Sequence, residues 1–248
     1  VLFNCLPSPG LRPLVSHYWV SRNNRQVTHA ILPDGSVDLV FAANATSTEC
    51  WLFGTSTSAA EVPLVADTNY LGVRFRPGQA RHFMSLAAKE LTDHHEAASE
   101  VLRFSLEDVP EQIATPQVFQ RLDQLLANHL ACRHPDEHRV DQVIRWIEKH
   151  SGNVRIEEAA SMYGRSRRQL ERTFLDDVGI SPKLFASIVR FQTAAALIGR
   201  PSAKLADVAL AAGYTDQSHM TNDFRRLTGN SPVRFLKKHV AFLQDEND

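Results

Sequence analysis

No run of apolar residues in this chain is long enough to cross a membrane. The longest, such as SVDLVFAAN and LADVALAAGY, fall well short of the roughly 18–20 residues a helical span requires. Nor does a basic-then-apolar leader precede a small-residue cleavage site, so nothing points to secretion. Cysteine is scarce: Cys5, Cys50 and Cys132 stand far apart, with no C-x-x-C spacing. That excludes a disulfide framework and a thiolate zinc cluster, and together these features predict a cytoplasmic location with reduced thiols. G-x-x-x-x-G-K and nucleophile-elbow motifs are missing too, which leaves nucleotide hydrolysis and acyl transfer without a basis. Closely spaced histidines are lacking in the strand-like region, where only isolated His17 and His29 occur. The His94–His95 pair falls in a polar, helical-looking stretch and reads as surface. No catalytic residue, metal or cofactor is assigned, and the expectation is that the protein is not an enzyme.

What remains is ample for a folded chain. With 248 residues, 43% of them hydrophobic, it can bury a sizeable core, and its length suits two domains better than one. The net charge of −1 conceals an asymmetry. Up to Pro135 there are 10 Lys/Arg against 13 Asp/Glu, a balance of −3, and from Asp136 onward 17 against 15, or +2. The basic surplus is C-terminal.

The periodicity divides the chain at the same place. From about Ser16 to Arg76 the segments SHYWV, THAILPDGSVDLVFAA, CWLFG and YLGVRF alternate as half-buried strands do, with Pro33-Asp34-Gly35 as a turn, predicting an antiparallel sheet or small barrel. After Pro77 the spacing becomes helical, in QARHFMSLAA, HEAASEVLRF and PQVFQRLDQLLANHLA. In the last of these, residues 116–131, Val118, Leu122, Leu125 and His129 form a stripe that either makes a homodimer seam or packs on the preceding sheet. ACRHPDEH, 131–138, reads as the linker, so the expected domains are 1–133 and 134–248. From Asp136 on every segment reads as helix, with Val140, Val143, Ile144 and Ile147 on one face of the first.

The C-terminal half states one phrase twice. FLDDVGISPKLF (174–185) and FRRLTGNSPVRF (224–235) share Phe, Gly, Ser-Pro and Phe at an offset of fifty. Upstream, Ala160 and Gly164 match Ala209 and Gly213 at an offset of 49, so the second turn is one residue longer. Each unit has the form of a helix-turn-helix: a small residue where the helices cross, a glycine at the turn, and a second helix apolar only on its inner side, at Leu170 and Phe174 or at Met220 and Phe224. The outer face of the first unit offers Arg167, Arg168, Glu171 and Arg172. That of the second offers Gln217, Ser218, Thr221, Asn222 and Arg225. Arginine pairs bidentately with guanine, and Asn or Gln with adenine, so these are apt side chains for a major groove. Solvated surface is the bland alternative for one such helix; two in matched frames favour DNA. Between them, Ser181-Pro182 caps a segment without a helix breaker until Gly199, predicting a rod of about 25 Å at 1.5 Å per residue. Phe185 and Phe235 each pin the helix after a Ser-Pro cap back onto the unit before it.

The region from about Val140 to Val240 resembles the DNA-binding domain of the AraC family of bacterial transcription regulators, above all in ADVALAAGYTDQSHMTNDFRRLTGNSPVRF. The resemblance implies two helix-turn-helix units joined by a long helix, entering successive major-groove segments of one promoter. By position, Arg168, Glu171 and Arg172 would face bases in the first unit, and Gln217, Ser218, Thr221 and Asn222 in the second; Asn222 stands where many members have Arg or Lys. Promoter DNA and RNA polymerase are the partners so implied. LPDGSVDLVF and LGVRFRPG resemble a sensory-type domain found ahead of such regions, in a family where these domains are often cupin-like barrels that bind a small effector or mediate dimers. His17, Trp19, Trp51, Arg74 and Arg76 are the candidate effector residues, though aromatics in strands are more often core and the two arginines more often the solvent face of a strand. The expected fold is thus α+β: a β-rich, cupin-like N-terminal domain with trailing helices, then an all-α double helix-turn-helix domain. The rival reading is a DNA-repair methyl acceptor, or a ligand-binding barrel protein with an accessory DNA-binding region.

Overall fold

The computed structural model describes residues 2–22, 28–106, 109, 113, 115, 117–131, 138–200 and 203–245, with side chains from residue 3 to residue 238. The linker with Pro135 and Asp136, the 133/134 boundary and Cys132 lie outside the described residues.

The N-terminal half is β-rich. Strands β1 (Leu2–Cys5), β2 (Val15–Ser21), β4 (Val37–Ala43), β5 (Thr48–Phe53), β7 (Asn69–Phe75) and β8 (His95–Ala97) form one antiparallel sheet in the order β1-β2-β7-β4-β5-β8. Strands β3 (Thr28–Ile31) and β6 (Ala60–Pro63) pair separately. Alternation sorts the large sheet's side chains. Tyr18, Val20, Leu39, Phe41, Leu52, Leu71, Val73 and Phe75 are buried on one face, while His17, Asp38 and Arg74 occupy the other. Gly72 sits where Trp19 crosses β7: a Cβ there would lie 1.9 Å from the indole ring.

Two expectations change here, and the Pro33-Asp34-Gly35 turn stands. Pro33-Asp34-Gly35 does turn the chain, with Gly35 at φ 78°, but β3 and β4 do not pair with each other; the turn carries the chain from the small sheet to the large one. Between Pro77 and Phe104 the helical-looking stretches hold only short turns, at Gln79–His82 and Ala88–Leu91, and a four-residue helix α1 (Ala98–Val101). His95 lies on β8, opposite Phe53 and stacked on its ring, rather than on a helix. Apolar residues spaced by three or four also arise where a chain folds back over a sheet edge, and that is how these are used.

Helix α2 (Val118–Ala131) spans the expected segment, and its stripe faces inward. Val118, Leu122 and Leu126 are fully buried in the sheet's core, Leu125 packs against it, and His129 bonds the carbonyl of His82 at 3.0 Å between the rings of Phe83 and Phe104. The stripe is consumed by the domain's own core. It offers no dimer seam.

The C-terminal half is all helical among the described residues: α3 (Arg139–Lys149), α4 (Ile156–Tyr163), α5 (Arg167–Val178), α6 (Pro182–Ile198), α7 (Leu205–Ala211), α8 (Gln217–Thr228) and α9 (Pro232–Asp245). A second, separate core gathers Val140, Val143, Ile144 and Ile147 of α3 with Leu170, Phe174, Phe185, Phe191, Met220, Phe224 and Phe235. The two halves also touch. Thr55 Oγ1 donates to the Val178 carbonyl and Thr92 Oγ1 to the Gly179 carbonyl, both at 2.6 Å. Arg81 pairs with Asp141 at 2.7 Å in an almost fully buried bridge.

Candidate nucleic-acid interface

Two helix-turn-helix units follow from two short grammars of capping. In the first, Gly164 ends α4 at φ 70°, and Ser166 accepts a bond from the Gln169 amide at 3.3 Å to start α5. In the second, Gly213 (φ 83°) leads to Asp216, whose carboxylate accepts from the His219 amide at 2.7 Å to start α8. Each second helix ends on a left-handed glycine, Gly179 or Gly229, where an L side chain would be strained. Ala160 and Ala209 are buried where the helices cross.

Burial of the inner faces turns the outer faces to solvent. On α5, Arg168 and Arg172 are exposed, and among the described residues neither is held in an ion pair. Arg167 and Glu171 are tied to each other at 2.9 Å, and Arg167 also reaches Glu157 of α4 at 2.9 Å. Their charges largely cancel, so Arg168 and Arg172 carry this helix's positive field. On α8, Gln217, Ser218, Asn222 and Arg225 are exposed and Thr221 is half-buried.

The rod between the units is α6, starting at a Ser181 cap that accepts from the Leu184 amide at 3.2 Å, with Pro182 at its first position. Phe185 meets Phe174 at 5.6 Å, while Phe235 packs with Phe224 at 5.4 Å and Phe191 at 5.6 Å. The repeated Ser-Pro-x-x-Phe is therefore the exit clamp of each unit, as its spacing predicts.

A group of residues not singled out from sequence fixes α8 to the rod. Buried Asp223 accepts from Ser187 at 2.7 Å and from Arg226 at 2.9 Å, and Arg190 stands at 3.5 Å from it and stacks over Tyr214. Burial pushes the Asp223 carboxyl up, but Ser187, Arg226 and Arg190 outweigh it and hold the pKa below the ordinary aspartate range. The only signal in sequence is an acidic residue on an otherwise apolar face, with Thr173, bonded to Tyr163 at 3.0 Å, at the matched position of the first unit.

Four of the five candidate effector residues, His17, Trp19, Trp51 and Arg74, share the face of the large sheet opposite its core, in two neighbouring cross-strand rows. Arg74 forms a two-pronged pair with Asp38 and a further bridge to Asp34, both at 2.9 Å, and lies opposite His17, whose pKa is lowered by burial and by this arginine. Trp51 lines an open cavity of about 280 Å³ with Val40, Phe53 and Tyr70. Trp19 covers Gly72. Arg76 lies past the end of β7, its Nε donating to the Arg12 carbonyl at 2.7 Å. Cys50 offers no reactive thiolate, since burial pushes its pKa up to about 12.

A family model described as a helix-turn-helix domain matches residues 159–238, and one described as a domain of unknown function matches residues 4–97. The HTH-type transcriptional activator RhaS of Klebsiella pneumoniae is 29% identical over 107 residues, covering 43% of this chain and 38% of the relative. The C-terminal domain is of the AraC type. RhaS of Escherichia coli matches the AraC-type domain at 27% identity over the same share of each chain, so this chain aligns with about two-fifths of the length of the curated relatives it matches. Among solved structures, a probable AraC family transcriptional regulator from Rhodopseudomonas palustris is 28% identical, covering 41% of this chain and 97% of that one at a TM-score of 0.36. ToxT from Vibrio cholerae is 10% identical, covering 96% and 97% at a TM-score of 0.46.

Proposed function

We propose that this chain is a cytoplasmic, sequence-specific transcription regulator that reads two adjacent major-groove segments of promoter DNA. The observation that carries this reading is the pair of capped second helices, α5 and α8, each with a solvent-facing row of groove-reading side chains and both anchored to one continuous rod. Arg168 and Arg172 supply bidentate guanine contacts from α5. Gln217 and Asn222 supply adenine contacts from α8, with Ser218, Thr221 and Arg225 beside them. Arg167 and Glu171 act as a pair, so either reaches a base only once their mutual bond is broken. The N-terminal domain is the seat of effector control, and a regulator so placed on a promoter lies within reach of RNA polymerase. The two domains divide between residues 133 and 134.

Selection of bound duplexes from a random pool tests the reading. The full chain should enrich sites with two short determined segments about one helical turn, roughly 34 Å, apart. A pool that emerges with no sequence preference at physiological salt would remove the function proposed here.

A further inference from the structure

Three aromatic side chains, Trp51 and Phe53 of β5 and Tyr70 of β7, line the open cavity of about 280 Å³ on the outer face of the large sheet. Strand register puts them there. Val40 lies between Trp51 and Gly72, and Ala42 pairs with Tyr70, so the smaller residues of β4 make a floor between larger walls. The walls are held from behind. His95 of β8 stacks on Phe53 at 4.8 Å and meets Trp51 edge-on at 5.2 Å, and the Val65 amide donates to the Tyr70 hydroxyl at 3.0 Å. Among the described lining residues one charge stands, that of Glu49, and no Lys or Arg joins it. Glu49 is exposed and accepts from the Trp51 indole nitrogen at 3.4 Å, near the limit of a hydrogen bond, and among the described residues it is held in no ion pair. Arg74, in the neighbouring row of the same face, is engaged between Asp34 and Asp38, both at 2.9 Å.

We propose that this cavity binds a small quaternary ammonium, whose charged head rests against Trp51, Phe53 and Tyr70 and whose single positive charge is countered by Glu49. The face of an aromatic ring carries the negative part of its quadrupole, so several rings around one space attract a cation that alkyl groups prevent from hydrogen bonding. The apolar floor of Val40 and Ala42 suits those alkyl groups, and a carboxylate in the lining disfavours small acids. The inference rests on the N-terminal domain being the seat of effector control and names the chemical class of that effector. From this floor β4 leads back to the Pro33-Asp34-Gly35 turn, where the Pro33 carbonyl accepts from Gln192 of the rod at 3.2 Å, so the ligand bears on the strand that reaches α6. Because binding is measured without DNA, its failure is distinguishable from failure of DNA reading.

The test uses the full chain, titrated calorimetrically with choline chloride against sodium chloride at matched ionic strength, and with the neutral analogue of choline in which a tert-butyl group replaces the trimethylammonium. Choline should bind saturably, and the neutral analogue, equal to it in shape, about tenfold more weakly. Trp51→Leu should weaken choline binding by about the same factor, and Trp51→Phe, which keeps a ring, by less. Glu49→Gln changes an exposed side chain and leaves the core alone. It should weaken choline while leaving the neutral analogue unchanged. The proposal is overturned if choline does not bind beyond sodium, or if the neutral analogue binds as well as choline, which would make the cavity merely apolar. It is overturned equally if the Trp51→Leu and Glu49→Gln variants both bind choline as the parent does, which would place the cation elsewhere.

Discussion

Asp223 illustrates how one buried side chain sets a reading surface it never joins. Its carboxylate holds Ser187 and Arg190 of the rod and Arg226 of its own helix, so the rotation of α8 about its axis is fixed from behind. Removing one member of such a buried pair leaves the others uncompensated, and Asp223→Ala should cost about 3 kcal/mol of stability in denaturant titration. The sign of the pH effect follows from the depressed pKa: the contribution is fully present above the ordinary aspartate range and is lost as pH falls through the lower, folded-state value. The stability gap between the parent and Asp223→Asn should accordingly be constant near neutrality and close in acid. Arg172 poses the opposite case, an exposed side chain with no structural task among the described residues. Arg172→Ala should leave stability within about 0.5 kcal/mol, yet lose about 1–3 kcal/mol of discrimination at one base pair. Equal losses on specific and random duplex would reduce Arg172 to a phosphate contact. The exposed arginine was legible in sequence because outer-face position follows from helical spacing. The buried aspartate was not, because Ser187 and Arg190 reach it from the rod by tertiary packing, and only Arg226 lies at helical spacing from it.

At the level of elements, the duplicated phrase made the C-terminal half readable almost to the residue: caps, glycine stops, the rod at 182–198 and the phenylalanine clamps all follow from local chemistry. The N-terminal half was readable only as strands. Which strand pairs with which is a long-range matter, and a turn such as Pro33-Asp34-Gly35 looks the same whether it closes a hairpin or crosses between sheets. The apolar stripe on α2 shows the same limit, since spacing defines a buried face but not what buries it. For α6 the local reading has a mechanical consequence. Its 17 residues form a rod of roughly 25 Å, held by aromatic clusters near its start at Phe185 and at mid-length at Phe191. Inserting about 5 base pairs between the two contacted segments turns one to the opposite face of the duplex, and the rod cannot follow without bending DNA at a cost of a few kcal/mol. Binding should fall to the strength of a single unit, and a full-turn insertion should not restore it because the rod is too short. Gly-Gly in place of Ala195-Ala196 should soften the penalty, each glycine weakening the helix by about 1 kcal/mol. Equal affinity for the parent and half-turn sites would mean that only one unit reads.

Across the whole molecule, the N-terminal domain grips both units at equivalent places. Thr55 and Thr92 donate to the carbonyls of Val178 and Gly179 at the end of α5, and the Ala59 amide donates to the Leu227 carbonyl near the end of α8 at 2.6 Å. Lys89 adds a bridge to Asp176 at 2.6 Å, and Lys238 of α9 pairs with Glu61. Gln192 of the rod donates to the Pro33 carbonyl at 3.2 Å, and the Phe185 ring fills the space a side chain at Gly35 would need. These contacts lie at the carbonyl ends of the two reading helices, on the rod and on α9, so docking leaves Arg168, Arg172, Gln217 and Asn222 open to solvent. The N-terminal domain therefore acts as a brace between the units rather than a cover over them. Buried hydroxyls that cap helix ends contribute about 1 kcal/mol each when their partners are otherwise unsatisfied. Thr55→Val with Thr92→Val in the full chain should then loosen α5 against its brace while preserving both reading faces. The expected result is weaker binding to the two-segment site, by about tenfold or a little more for two such bonds, with little change on a duplex carrying only the α8 segment. A gel-shift series on the two duplexes measures both. If the double variant binds the two-segment site more tightly than the parent, the docked N-terminal domain restrains the units from DNA instead of presenting them to it, and the brace is a lock.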